Sequence, residues 1–412
     1  MPRRKRVALP AVALIVLAGL ALAWVLTRQP SPNAPCGDGS QSAYLADVMG
    51  PAQEIAAQEH DGPAERFALA TVLSDQALAQ GVQAHNMASV RHELLRLLYN
   101  HEHIVRLRVT RGGHLVMNIG GADVLQPVSG PLLLAGRQVG RVEISIQDDM
   151  GYMLLDQRLL GADAVLRYGS QTEVSDIATG SLQLPQSGAI TLAGKRYLVG
   201  SFFATRFPSG PLRISVLIGA PPRRIARQTC AGIRADVYAG VVRRVYEASL
   251  IGPAATIATD VVGGSLRLRQ ALQSGAPGPL LSAVSALAGT NHVIALRVFG
   301  GGGRLLAQAG PTAGTIAPVT GALLAPGTQQ RIGSYALTVQ TAAGDIAIAR
   351  PLVAAPVLMR VDGRPLPGTP DGPAILPASG VVRFHGQRYA VRSFLAGAFP
   401  SGAVRVYVLV PQ

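Results

Sequence analysis

The sequence predicts an α+β chain: an N-terminal transmembrane helix, then two copies of one module, each with long N-terminal helices and a central antiparallel sheet of about five strands. Three observations carry this. The stretch "RYLVGSFFATRFPSGPLRISVLI" (196–218) returns as "RYAVRSFLAGAFPSGAVRVYVLV" (388–410), identical at 13 of 23 positions without a gap. Each copy closes a run in which helical periodicity gives way to strict alternation of apolar and polar residues. At the other end of the chain, "MPRRKR" precedes an uncharged apolar stretch from Val7 to Leu26. An internal repeat of this kind governs the fold prediction, because each copy must be one supersecondary unit.

The apolar stretch is long enough, as a helix, to cross a bilayer core. Arg3, Arg4, Lys5 and Arg6 keep its leading end cytoplasmic. The rival is a cleaved signal peptide, since Ala21-Leu22-Ala23 forms an A-x-A site. The run continuing through Trp24, Val25 and Leu26 favours the retained anchor, with Trp24 suited to the interface. Residues 1–28 are therefore read as a basic stub and signal anchor, and the Pro-rich 29–35 ("QPSPNAP" within it) as a linker. The bulk of the chain then lies outside a cell membrane crossed once.

From Ala43 to Tyr99 apolar positions such as Leu73, Leu78, Val82, Val90, Leu94, Leu97 and Leu98 follow a helical period. "IVRLRV" (104–109) alternates and meets Gly112-Gly113, so it enters a hairpin towards "HLVMNI". "RQVGRVEISIQDD" supplies a third strand, "MGYMLLDQRLLGA" a short covering helix, "AVLRYG" another strand, and the repeated hairpin closes the module. Pro208 and Pro400 suit its turn, and Gly210 and Gly402 tolerate the closing conformation. The same order recurs from Ala231 onward: helices, "NHVIALRV", a glycine-rich turn, and "APVLMRVDGR". The boundaries are 36–219 for the first module, 220–229 for a linker and 230–412 for the second.

Net charge is +14 from 37 basic and 23 acidic residues, and among the basic residues only Lys5 and Lys195 are lysine. That arginine dominance, beside abundant Ala, Gly, Pro and Val, reads as compositional bias. With no aromatic–basic interleaving, nucleic acid is not expected as a partner. Two cysteines, Cys36 and Cys230, exclude a Cys-rich metal scaffold and suit one disulfide in an oxidising compartment. His85, His92, His101 and His103 lie close in sequence, but Arg96 stands where a zincin motif needs its second histidine. No metal and no cofactor is expected. "GGSLR" (263–267) lacks nucleophile-elbow spacing, and Gly300–Gly303 leads into a strand rather than a phosphate-binding helix. The expectation is therefore a chain without catalytic activity.

Through "HIVRLRV", "ISIQDDMGY" and the repeated hairpin, each module resembles an extracytoplasmic PAS-like sensor domain of the Cache (PDC) type. The resemblance implies a tandem sensor that binds a small metabolite of the amino acid or carboxylate class and acts in signal transduction with a membrane signalling partner. The chain departs from that pattern: only "MPRRKR" precedes the anchor and Gln412 follows the last strand, so no cytoplasmic output domain is expected. A non-catalytic envelope scaffold or protein-interaction module is the alternative. In Cache-like modules both chain ends commonly lie at the membrane-facing pole, which implies a Cys36–Cys230 disulfide; two separate thiols or an intermolecular bridge are the alternatives.

The expected ligand site is in the first module. Strand alternation puts Tyr197, Ser201 and Arg213 on one face of the hairpin, opposite a purely apolar face meant for the long helices. Tyr389, Ser393 and Arg405 occupy the matching places in the second copy. Where the third strand ends, Asp148 and Asp149 offer carboxylates for a ligand ammonium, Tyr152 a wall, and Arg213 a partner for a ligand carboxylate. The second module keeps only Asp345 there, beside Thr341-Ala342, and its pocket is expected to be degenerate. The structural alternatives are that one of the aspartates caps the following helix and that the polar face is solvated or bonded to covering loops.

If Val7–Leu26 is retained, the protein stays in the membrane fraction through high-salt and carbonate washes. A mature N-terminus at Trp24 would show cleavage instead.

Overall fold

A computed structural model of the chain describes residues 34–101, 104–121, 124–125, 127–169, 171–177, 183–208, 210–221 and 223–412. The stub and anchor assigned to 1–28, most of the linker and His103 lie outside the described residues. Among the described residues no helix is long and apolar enough to cross a membrane.

The first repeat opens with four helices, α1 (Ser40–Asp61), α2 (Pro63–Leu73), α3 (Gln76–Gln83) and α4 (Met87–Asn100). Sequence punctuates each. A Cβ at Gly62 would lie 2.1 Å from the Gln58 carbonyl oxygen, so only glycine permits the break after α1, and Pro63 starts α2 at the position where its missing N–H costs nothing. Asp75 and Asn86 cap α3 and α4 by accepting from Leu78 N (2.8 Å) and Ser89 N (3.1 Å). Strands β1 (Arg106–Arg111), β2 (His114–Gly120), β4 (Val128–Leu134) and β5 (Arg137–Ser145) form an upper antiparallel sheet in the order β2-β1-β5-β4. Between them β3 (Val124–Leu125) pairs with β6 (Gln147–Asp148) as a small ribbon. Then α5 (Asp149–Leu160) leads to β7 (Asp163–Tyr168), β8 (Gln171–Ser175), β9 (Ser187–Leu192), β10 (Lys195–Thr205) and β11 (Pro211–Gly219), a lower sheet ordered β8-β7-β11-β10-β9.

The second repeat follows the same order. Helices α6 (Cys230–Ile251), α7 (Pro253–Gly264), α8 (Leu266–Ser274) and α9 (Pro277–Leu287) precede an upper sheet of β12 (Ala295–Gly300), β13 (Leu305–Ala309), β15 (Val319–Leu324) and β16 (Arg331–Thr338). A ribbon of β14 (Thr315–Ile316) and β17 (Gln340–Thr341) leads to α10 (Ala342–Val353). The lower sheet is β18 (Val357–Val361), β19 (Arg364–Pro365), β20 (Ser379–Phe384), β21 (Gln387–Gly397) and β22 (Ala403–Pro411). Gly252-Pro253 repeats the Gly62-Pro63 break, with a Cβ at Gly252 2.4 Å from the Ala248 carbonyl oxygen.

The mixed α+β character matches the sequence reading, but each repeat holds two sheets rather than one of about five strands. The alternating runs and both kinds of hairpin, β1–β2 and β10–β11, are as expected; their union in one sheet is not. Leu107, Val109, Val142 and Ile144 face α2, α3 and α4 in a core of their own, with a counterpart around Leu296, Val298 and Leu337. The hairpin strands face a different core, because α5 or α10 carries the chain away before they form.

That second core is shared by both repeats. Val48, Ala52 and Ile55 of α1 and Val241, Val242 and Val245 of α6 lie buried in it, together with the apolar faces of both lower sheets. The two long helices pack on each other, and both α5 and α10 pack on both of them. This reciprocity is the pattern of a twofold dimer fused into one chain. Arg234 of α6 closes on Asp47 of α1 at 2.7 Å, and Cys36 joins Cys230 at a Cα separation of 4.9 Å. In both hairpins the peptide bond before the proline is cis, and Gly210 and Gly402 have φ of +138° and +121°, which calls for glycine.

Protein isolated under non-reducing, alkylating conditions should show no free thiol. Replacing Cys36 with Ser should lower stability by about 2–4 kcal/mol, because the bridge closes a long loop; unchanged melting would contradict this.

Candidate functional site

The six residues chosen from sequence divide between the two faces of the first lower sheet. Asp148 is the N-cap of α5, its Oδ1 accepting from Gly151 N at 2.6 Å, and Asp149 Oδ1 accepts from Met150 N at 2.7 Å. Tyr152 is fully buried on the side facing the long helices. On the opposite face Tyr197 packs with Val165, Leu184, Val199 and Leu217. Arg213 Nη2 donates to the Leu184 carbonyl (3.0 Å) and to Ser201 Oγ (3.2 Å), and Ser201 also meets Ser215 (2.9 Å) and the Pro185 carbonyl (3.2 Å). The joint site expected in the first module is therefore not formed: strand alternation turns Tyr197, Ser201 and Arg213 away from α5. Ser201 and Arg213 border only a recess of about 170 Å³.

The second repeat shows what the serine–arginine pair does. Arg405 donates to Ser393 Oγ at 3.2 Å, and Ser393 donates to the Ala378 carbonyl at 2.9 Å. In both repeats the pair ties a covering loop to the sheet's outer face.

Beneath α5 lies a group of acids that sequence reasoning missed. Glu65 of α2 and Asp156 of α5 are both 0% exposed and neither carboxyl has a hydrogen-bond partner. Burial, with Glu59 adding repulsion, pushes Glu65 up to about 8. Burial also lifts Asp156 to about 8, opposed by Tyr152 and reinforced by Asp176. The Tyr152 hydroxyl faces Asp156 one turn away, outside hydrogen-bond geometry, and is raised by burial and then by that carboxyl. Glu59, itself raised by burial, accepts from Gln147 Nε2 at 3.1 Å. In the second repeat Asp345, also 0% exposed, is raised by burial to about 7 against the pull of the Ser249 hydroxyl, which faces it outside hydrogen-bond geometry. Nothing in sequence marks Glu65, since a glutamate in the first turn after Pro63 is an ordinary helix start.

A cavity of about 850 Å³ lies in the second repeat. Its floor is apolar, from Leu358, Leu409, Phe384 and Tyr389, and its rim carries Arg350, Asp371 and, from the first repeat's α1, Glu54. The sheet supplies the floor, and the 366–378 segment supplies the wall. Arg360, 5% exposed, donates to the Ala374 and Pro373 carbonyls at 2.8 and 2.5 Å and clamps that segment over the sheet. Gly372 allows the close approach, for a Cβ there would sit 2.4 Å from Leu358 Cδ1. Neither Arg350 nor Asp371 makes a side-chain hydrogen bond or ion pair with the described residues. A cation and two carboxylates over an apolar floor can orient a small charged molecule. The second module, expected to be degenerate at Thr341-Ala342 and Asp345, thus holds a cavity at a different place, which none of those residues lines. The only sequence signal was the proline-rich "PLPGTPDGPAILP". Among the described residues no three His, Cys, Asp or Glu side chains are placed to hold a metal ion.

No protein-family model matches the chain, and no curated protein matches it. Among solved structures, the chain is similar to the ligand-binding domain of the Pseudomonas fluorescens chemoreceptor CtaA in complex with L-alanine, at 12% identity over 44% of this chain and 99% of that one, with a TM-score of 0.29. It is also similar to an extracellular ligand-binding receptor from Desulfohalobium retbaense, at 10% identity over 54% of this chain and 47% of that one, with a TM-score of 0.25.

The buried acids set a pH dependence. Glu65, Asp156 and Asp345 keep their protons in the fold at pH values where the unfolded chain has released them. Folded protein thus binds more protons, so their contribution is complete below the ordinary carboxylate range and is lost as pH rises through about 7–8. Melting temperature should fall between about pH 5 and pH 9, and Glu65→Gln should flatten that fall by the equivalent of about 1 kcal/mol or more. A flat profile in the parent protein would refute the assignment.

Proposed function

We propose that the chain is a membrane-anchored, extracytoplasmic small-molecule-binding sensor of tandem Cache type, with the cavity of the second repeat as its binding site. The observation that carries this is the pairing of an unengaged Arg350 with an unengaged Asp371 over an apolar floor. Such a rim fits a zwitterion of the amino acid class: its carboxylate goes to Arg350 and its ammonium to Asp371 or Glu54. The aromatic floor takes the side chain. Val7–Leu26 supplies the anchor, and a membrane partner receives the signal.

The scaffold reading has its own support. Exposed apolar side chains recur at matching places in the two repeats, with Phe67 and Ile257 at 67% and 44% exposure and Phe203 and Leu395 at 74% and 62%. Single exposed side chains are ordinary, however, and do not by themselves form a docking surface.

A thermal-shift screen of residues 30–412 against amino acids and small carboxylates decides between them. An amino acid should raise the melting temperature in proportion to the logarithm of its concentration. Arg350→Ala should remove that response while Asp148→Asn leaves it intact; a response surviving Arg350→Ala places the site elsewhere, and no response to any compound favours the scaffold.

A further inference from the structure

The two repeats share a scaffold, so a charge pattern present in one and missing from the other is not needed to build it. At the open end of the first upper sheet, the β1–β2 turn and the β4–β5 turn form two lips of a concavity of about 690 Å³. Arg111, Arg137 and Arg141 line it, with Gln83, Thr110 and Gln138, and none of its described lining residues is acidic. Strand pairing identifies the counterparts. Arg141 pairs with Thr110, whereas in the second repeat Ser334 pairs with Phe299; Gln138 pairs with Leu133 as Arg331 does with Leu324, so Arg137, which pairs with Leu134, corresponds to Gln330, whose carbonyl accepts from Ala325 N at 2.8 Å. Arg111 ends β1, where β12 ends in Gly300. Three arginines thus correspond to a glycine, a glutamine and a serine.

Arg111 has a structural task as well. Its Nη1 donates to the Val82 and Gln83 carbonyls at 2.8 and 3.0 Å, satisfying the end of α3. Arg141 is exposed and donates to Ser129 Oγ at 2.5 Å, and Arg137 is exposed with no side-chain bond to the described residues. The one carboxylate on this face that pairs with β1, Glu143, is taken by Arg108 at 3.0 Å.

We propose that this concavity binds a phosphate-bearing anion, held by Arg137 and Arg141 with the fixed Arg111 behind them. Guanidinium groups present paired N–H donors that match phosphate oxygens, and three like charges without a counter-ion gain most from a multivalent anion. The site shares no lining residue with the cavity of the second repeat, lies on a different sheet and does not depend on what that cavity binds.

The test is calorimetric titration of the full-length chain in non-ionic detergent with inorganic tripolyphosphate, at low and at high ionic strength. Binding should weaken with salt. The double variant Arg137→Ala/Arg141→Ala should lose at least about tenfold in affinity, since it removes two charge-assisted contacts. Arg331→Ala, on the matching edge of the second repeat's upper sheet, should bind as the parent does, and all variants should melt near the parent temperature. Equal loss in Arg331→Ala, or none in the double variant, overturns the proposal. A separate arm compares phosphatidylglycerol with phosphatidylcholine vesicles: retention on the former without any response to tripolyphosphate would assign these arginines to a membrane surface instead and also overturn it.

Discussion

Everything in the lower half of the molecule depends on the packing of α1 against α6. Neither helix has an apolar face matched to one repeat alone: Val48, Ala52 and Ile55 meet Val241, Val242 and Val245 in a core that also receives Leu198, Ile214, Phe394 and Val406 from the two lower sheets. Separating the repeats would expose both sets at once, at roughly 25 cal/mol for each Å² of apolar surface returned to water. The repeats are therefore not beads on a linker. The Arg234–Asp47 pair is a weaker determinant, because burial of Asp47 raises its pKa against the pull of the arginine.

The upper sheets stand apart from this constraint. Each has its own core, closed by its own helices, and reaches the shared core through a two-stranded ribbon. The ribbons are fastened identically. Ser145 donates to the Leu125 and Gln147 carbonyls, and Thr338 does the same to Ile316 and Gln340. A hydroxyl at the end of each upper sheet thus fixes where the chain turns into α5 or α10, and with it the angle at which those helices meet the long pair.

Much of this was legible in the chain because it rests on local rules. Strand alternation in "RYLVGSFF" correctly divided Leu198 and Phe202, which face the helices, from Tyr197 and Val199, which do not. The Gly-Pro steps and the Asp75 and Asn86 caps mark helix boundaries by chemistry that acts over three or four residues. The division into two sheets was not legible, since nothing in a single strand says which distant strand completes its hydrogen bonds. The cavity was hidden for a related reason. Its charged rim draws on residues 54, 350 and 371, and its wall is held by Arg360, a buried arginine that reads in sequence as one more polar position on a strand. The polar residues that did stand out, Ser201 and Arg213, stood out because loops must be fastened to sheets.

The position of the cavity follows from the fused-dimer packing and gives it a mechanical consequence. Glu54 lies on α1, the first long helix of the described chain, one turn before Gln58, whose Nε2 it receives at 3.2 Å. Ile346 and Arg350 lie on α10, which packs on both α1 and α6. A molecule bridging Arg350 and Glu54 would therefore add a contact between helices of different repeats, and its binding free energy would act on the α1–α10 contact instead of remaining in one sheet. Such coupling is limited to the difference in affinity between two arrangements of those helices. Because α1 and α6 are also tied by the Cys36–Cys230 bridge, relative motion is restrained at that end, and the other end, where the two helices break at Gly62 and Gly252, carries no such covalent tie.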